Sequence, residues 1–126
     1  MRFARWVFLV AGVYGVAVIL PQYFLEQRIS RDYPPPITHP EHFYGFVGVT
    51  LAWQVLFLVI ARDPVRLRVA MPVAVLEKLA FAAAVPVLYG FGRVPAALLV
   101  FAAIDACLAV LFTAAYLRTP KNAYPR

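Results

Sequence analysis

The chain is short of charge, of cysteine and of polar connecting sequence, and each shortage removes a class of protein. Charged residues occupy 14% of the 126 positions, against roughly 25% in an ordinary soluble domain. A water-soluble chain of this size buries only about two thirds of the surface that its unfolded form exposes, too little to hide a composition that is 63% hydrophobic. The single cysteine, Cys107, excludes an internal disulfide, a dithiol redox pair and a cysteine zinc cluster. Lying inside an apolar block, it is expected to pack as a small hydrophobe. No glycine-rich phosphate loop, nucleophile elbow or Ser/His/Asp set suggests a hydrolase. No internal repeat is visible either.

What the chain has in abundance is apolar sequence, in four blocks at about 3–25, 43–61, 69–89 and 95–117. Each approaches the ~20 residues that cross a ~30 Å hydrocarbon core at about 1.5 Å per residue. None alternates as a strand would, and backbone groups cannot stay unpaired in lipid, so the blocks must be helices. The expectation is an all-α polytopic membrane protein, one domain over residues 1–126 built as an antiparallel bundle of four transmembrane helices. Arg2 and Arg5 precede the first block as they would in a signal peptide. The text Val18-Ile19-Leu20-Pro21-Gln22-Tyr23 contains no small-residue cleavage site, so a retained span is expected.

The connections fit that count. Asp63 is placed to cap the third span, with Pro64 in its first turn, and Gly90 to Pro95 reads as a tight turn with proline at the start of the fourth. The long connection, 26–42, holds Pro34-Pro35-Pro36, which favour an extended polyproline stretch. Pro21 and Pro86 each remove a hydrogen bond in one half of a span, where kinks would open a crevice. Small residues at helical spacing mark close packing at Ala11 with Gly15, Gly48 with Ala52, Ala80 with Ala84 and Ala103 with Cys107. Trp6, Tyr23, Tyr44, Tyr89, Tyr116 and Tyr124 fall near span ends, as interfacial anchors do.

The net charge of +6 orients the bundle. Arg2, Arg5, Arg62, Arg66, Arg68, Arg118, Lys121 and Arg126 gather on one side, and only Arg28, Arg31 and Arg93 on the other. Since cytoplasmic loops are enriched in Lys and Arg, both ends of the chain and the Arg62 to Arg68 turn are expected in the cytoplasm, and the proline-rich loop outside. The localisation implied is the cell (cytoplasmic) membrane, multi-pass. No basic domain stands apart from the spans, so the positive charge implies anionic lipid headgroups as partners and not nucleic acid.

Ions inside the spans carry the functional content. The stretch Val73-Ala74-Val75-Leu76-Glu77-Lys78-Leu79-Ala80-Phe81-Ala82 sets an acid and a base in otherwise lipid-compatible sequence, and Asp105 lies in the fourth block, Gln54 in the second. Each ionised side chain at a helix centre costs about 2.5–3.5 kcal/mol on insertion scales, so these residues must face the bundle interior or a wet cavity. Adjacent helical residues diverge by about 100°. Lys78 is therefore expected to turn toward Asp105, and Glu77 toward Gln54 or a polar group of the first span. Two readings stand: interhelical glue, or a binding site formed by Gln54, Glu77, Lys78 and Asp105.

His39-Pro40-Glu41-His42 offers two imidazoles and a carboxylate, good zinc ligands, but not at the spacing of the helical H-E-x-x-H motif. Pro40 is expected to keep His39 and His42 off one helical face, and Glu26 is the one further ligand in reach. Glu41 is then a helper in capping the second span. No metal or other cofactor is assigned.

In helix count, in the Arg62-Asp63-Pro64-Val65-Arg66 turn and in Asp105 of the last span, the chain resembles the small bacterial four-helix membrane proteins that include the DoxX-like families. That resemblance implies a cytoplasmic-membrane bundle. The buried carboxylates also make it similar to the EXPERA group of sterol isomerases and ligand-binding membrane proteins, although the second span lacks a histidine and glutamate one turn apart. Together these suggest a protein that binds a hydrophobic or lipid-like molecule such as a quinone, or serves a membrane protein partner or a second copy, through the four-residue cluster. The alternative is an isomerase-type or redox-accessory enzyme with Glu77 as the candidate catalytic acid or base. Four spans without an inverted repeat leave little scope for alternating access by a transporter.

Overall fold

A computed structural model describes residues 2–121 of the chain. Tyr124 and Arg126, read above as an anchor and as an orienting charge, lie outside the described residues. The described chain runs α1 (Arg2–Ile19), α2 (Glu26–Asp32), α3 (Pro40–Arg62), α4 (Met71–Gly90) and α5 (Leu98–Arg118), with short 3-10 turns at Leu20–Phe24 and Arg68–Ala70. Four helical segments are long and apolar enough to cross a membrane: Arg2–Phe24, Pro40–Arg62, Arg68–Gly90 and Leu98–Arg118. The fold is an all-α four-helix bundle with one short helix added.

The segment ends follow local chemistry. Proline cannot donate to a helical carbonyl, so Pro21 ends α1 as a regular α-helix, and the chain continues to Phe24 in the tighter winding. Within that turn the Gln22 side chain donates to the Val18 carbonyl at 3.2 Å, satisfying one of the acceptors the proline orphans. Pro40 opens α3 from the first helical position, which starts the span three residues before the expected Phe43. Pro86, by contrast, is accommodated in a continuous α4 on its outward side and does not break it. After α4 the chain reverses at Gly92 (φ 70°), whose amide bonds back to Tyr89, while that of Arg93 bonds back to Leu88. This double closure needs a residue free to adopt positive φ.

Three expected connections differ. The segment 26–42 is not all loop, because Glu26–Asp32 forms α2. Glu26 and Arg31 sit at the ends where the helix dipole favours them, and Arg28 pairs with Asp32 one turn on at 3.7 Å. The chain bends at Tyr33, Pro34 and Pro35, and the amide of Ile37 donates to Ser30 Oγ at 3.0 Å, so no regular polyproline stretch forms. Asp63 does not cap a span. It accepts from the Arg66 amide at 3.1 Å, closing a turn that contains Pro64, and α4 begins at Met71. Likewise Pro95 precedes α5, which starts at Leu98.

Packing divides the bundle into two pairs. α1 lies along α3 and α4 along α5; α1 and α5 join the pairs, whereas α3 and α4 meet only sparsely. Toward the Arg2 and Arg118 ends, the interior is filled by Phe8, Phe57 and Phe112, with Phe8 and Phe112 stacked at 4.3 Å and Phe57 edge-on to Phe112 at 5.0 Å. Ala4, Ala11, Ala74 and Ala115 let the helices close around these rings. At the same end Arg68 Nε donates to the carbonyls of Tyr116 (3.1 Å) and Thr119 (2.8 Å), and its guanidinium lies over the Tyr116 ring. A cation is thereby set at the negative end of α5.

The small-residue pairs are only half as expected. Ala11 and Gly15 are buried against α3, and a Cβ at Gly12 would meet Leu58 at 2.6 Å. Gly48 is half-buried beside the Tyr23 hydroxyl, but Ala52, Ala80, Ala84, Ala103 and Cys107 face outward. Cys107 is therefore not an interior packing residue. On α5 it is Ala102 and Ala109 that turn inward, a face one residue away from the expected stripe. The outside carries Val10, Val59, Leu76, Val100 and Val110 uncovered, a surface suited to lipid.

The aromatic plug predicts a contrast between two substitutions in α5. Phe112→Ala should lower stability by an amount approaching the roughly 3–5 kcal/mol of water-soluble cores, reduced because lipid supplies no hydrophobic drive between helices. Val110→Ala, on the outside, should change it by less than about 0.5 kcal/mol. Unfolding in mixed micelles with increasing dodecyl sulfate, followed by circular dichroism, measures both.

Candidate functional site

Above the aromatic plug a cavity lies between the two helix pairs. Counting about 1.5 Å per residue from the Arg62, Arg68 and Arg118 ends, Gln54, Lys78 and Asp105 sit roughly 12, 15 and 20 Å into spans of about 32–35 Å, near their middle. They mark the level at which packing gives way to a cavity of about 590 Å³. Gln54, Glu77, Lys78 and Asp105 all line it, joined by Tyr14 and Gly15 of α1. Val18, Ile19, Phe46, Phe81, Leu98 and Phe101 form apolar walls. At the far end Leu25, Ile29 and Tyr33, on and around α2, and Arg93 form the rim. Tyr44 ties α2 in place, its hydroxyl donating to Glu26 at 2.8 Å while its ring stacks on Tyr23.

Lys78 is the centre of the floor. Its Nζ stands 3.5 Å from Asp105 Oδ1 on the facing helix and 3.6 Å from Glu77 Oε2 on its own, and lies 5.1 Å from the centre of the Phe57 ring beneath. The expected Lys78–Asp105 pairing is thus present. Glu77 departs from expectation: it pairs with Lys78 and not with Gln54. The four-carbon stem of lysine lets its ammonium swing between two carboxylates whose Cα positions diverge. Gln54 is meanwhile engaged elsewhere, its Nε2 donating to the Thr50 carbonyl one turn back at 3.0 Å.

That bond fixes the Gln54 amide, since the reverse orientation would set two oxygens against each other. Its Oε1 then lies against Gly15, where a Cβ would collide with the Gln54 side chain. Glycine at this point is what admits the amide into the interface of α1 and α3. Both Gln54 Oε1 and Glu77 Oε2 are buried without a hydrogen-bond donor among the described residues.

The burial of the three ions is unequal. The Lys78 side chain is 5% exposed, while those of Glu77 and Asp105 are 16% and 17% exposed. The cavity therefore meets carboxylate first, with the ammonium behind it. This gradation was not legible in the sequence, because it depends on how far each side chain extends once the helices are paired. Nor were Tyr14, Gly15 and the α2 rim picked out as site residues. The apolar face of α2 is legible in Leu25, Ile29 and Tyr33, spaced four residues apart.

The histidine cluster forms a second group, outside the spans' interior. His39 precedes α3 and Pro40 occupies its first position, so His39 and His42 fall one turn apart with rings stacked at 5.0 Å. Pro40 aligns these two residues instead of separating them. Glu41 Oε1 lies 3.2 Å from His39 Nδ1 and 4.0 Å from His42 Nε2, and the three ligand atoms fall within 4.8 Å of one another. Glu41 is occupied by these imidazoles, and no side-chain cap closes α3. All three residues are exposed, and Glu26, their expected helper, is held by Tyr44.

No family model, curated protein or solved structure matches the chain. The site's chemistry must therefore be read from its own geometry.

The floor predicts a non-additive response to substitution. Lys78→Met leaves two carboxylates facing each other in the middle of the bundle and should cost about 3–5 kcal/mol, the scale for breaking a buried ion pair from one side. Combining it with Glu77→Gln and Asp105→Asn should recover most of that loss, because an uncharged floor needs no counterion. The same dodecyl sulfate titration reads this out, and additive losses would contradict the pairing.

Proposed function

We propose that this chain is an integral protein of the cytoplasmic membrane that binds a hydrophobic, lipid-like small molecule in the cavity between its two helix pairs. The observation that carries this reading is the cavity itself: apolar walls about 590 Å³ in extent that end on a polar floor near the middle of the spans. Ligand pockets of this size, largely apolar with a few convergent polar groups, suit molecules of drug or single-chain lipid dimensions. Interhelical glue alone would favour a filled interior, as found around Phe8, Phe57 and Phe112. The layout shared with DoxX-like proteins agrees with a membrane bundle of this kind.

The orientation follows from Arg2, Arg5, Arg62, Arg66, Arg68, Arg118 and Lys121, which share one end of the bundle. Placing that end in the cytoplasm satisfies the positive-inside bias and turns the α2 rim, the proline segment and the histidine cluster outward. The cavity then opens away from the cytoplasm, and the aromatic plug closes its cytoplasmic side.

Extraction of the protein with a surrounding lipid annulus, followed by mass spectrometry, tests the reading. A defined small molecule should be enriched over bulk membrane lipid in the wild type. Filling the cavity with Val18→Trp, or independently with Leu98→Trp, should remove it. Equal recovery from all three proteins would overturn the proposal.

One observation gives the enzymatic alternative a foothold: Glu77 lines the cavity with its side chain partly exposed there and the Lys78 ammonium 3.6 Å from its Oε2. Glu77→Gln separates the two readings. A pure binding protein yields the same molecule from wild type and variant, whereas chemistry by Glu77 would leave a different, unprocessed molecule in the variant.

A further inference from the structure

The floor also restricts which end of a lipid-like molecule can reach it. From its charge and from the order in which its groups are exposed we infer that the cavity takes an amphiphile whose head group donates hydrogen bonds and carries no negative charge, a protonated amine above all and a hydroxyl next. This rests on the binding reading proposed above and adds the chemistry of the head group.

Two independent features agree. First, one ammonium is set between two carboxylates, 3.5 and 3.6 Å away, so with all three ionised the floor is one negative charge in excess. Charge left unbalanced in a low-dielectric interior is costly, and an incoming cation or donor relieves it. Second, the excess faces the cavity. The Lys78 side chain is almost wholly covered, closed from below by the Phe57 ring, while Glu77 and Asp105 retain exposed surface. An anionic head would meet the carboxylates before the ammonium.

Gln54 takes no direct part in this, its amide nitrogen being used on Thr50 and its oxygen buried against Gly15. Neither ion pair closes to ordinary hydrogen-bond distance, which leaves the Lys78 protons weakly held but enclosed. The other cation on the cavity, Arg93, stands at the opposite end, on the turn between α4 and α5. A molecule that placed a negative group would find a partner at that rim and not at the floor. The walls between the two ends, including Val18, Phe81 and Leu98, accept only hydrocarbon.

The test compares probes that share one chain and differ in head group: dodecylamine, dodecanol and dodecanoate, each added to the purified full-length protein and measured as retained adduct by native mass spectrometry. Val18→Trp serves as the cavity-filled control. Retention in the wild type should fall in the order amine, alcohol, carboxylate, with amine over carboxylate by about tenfold or more, the equivalent of one modest ionic interaction. Asp105→Asn and, separately, Glu77→Gln should each bring amine and carboxylate toward parity while leaving the alcohol bound. Two variants on different helices guard against the loss of fold in one of them.

If all three probes are retained alike, and Val18→Trp excludes them, the cavity binds lipid-like molecules but the head-group assignment is wrong. Preference for the carboxylate has the same meaning. If no probe is retained, or retention is unchanged by Val18→Trp, the binding reading fails and this inference fails with it.

Discussion

Everything in the bundle above its midpoint depends on one ammonium held between two carboxylates in a place where water is scarce. Lys78 and Asp105 face each other at 3.5 Å, and an ion so enclosed costs far less with its counterion than without it. The pairing therefore fixes the rotation of α4 and α5 about their axes. Their opposite faces, with Leu76, Val100 and Val110, are thereby turned outward, as suits contact with lipid. Glu77, one position away on α4, is drawn to the same cation and not across to α3, and the weak contact between α3 and α4 is consistent with that choice.

The second constraint is geometric. Three phenylalanines fill the interior at one end, and helices that close around them with alanine must spread where the filling side chains stop. The polar residues stand at that boundary. A polar floor under an apolar shaft is thus not two features but one, since the ions need a side not packed with hydrocarbon, and the open half supplies it. Gly15 belongs to the same arrangement, because it gives the Gln54 amide a place against α1 that any side chain would occupy.

The sequence disclosed the class of fold through the length and evenness of its apolar blocks, and it disclosed Lys78 and Asp105 as partners because lipid allows an ion few alternatives. Both inferences rest on costs of several kcal/mol, large enough to override local detail. Where competing costs are small, the reading failed. Which stripe of small residues faces inward on α5 differs by one position, and Ala103 and Cys107 lost that contest to Ala102 and Ala109. Helix α2 was hidden by attention to the prolines beyond it, although Glu26, Arg28 and Arg31 already favoured a helix. His39 and His42 share one face because Pro40 stands at the first position of α3, where proline starts a helix and does not break it.

The sparse meeting of α3 and α4 has a further consequence. A bundle sealed at one end by stacked rings and the Arg68 latch is loosely joined along one seam, which in a bilayer would lie against the acyl chains. If the proposed ligand enters by that seam as well as by the α2 rim, it exchanges with the leaflet by lateral diffusion, and its occupancy tracks mole fraction in the bilayer and not concentration in bulk solution.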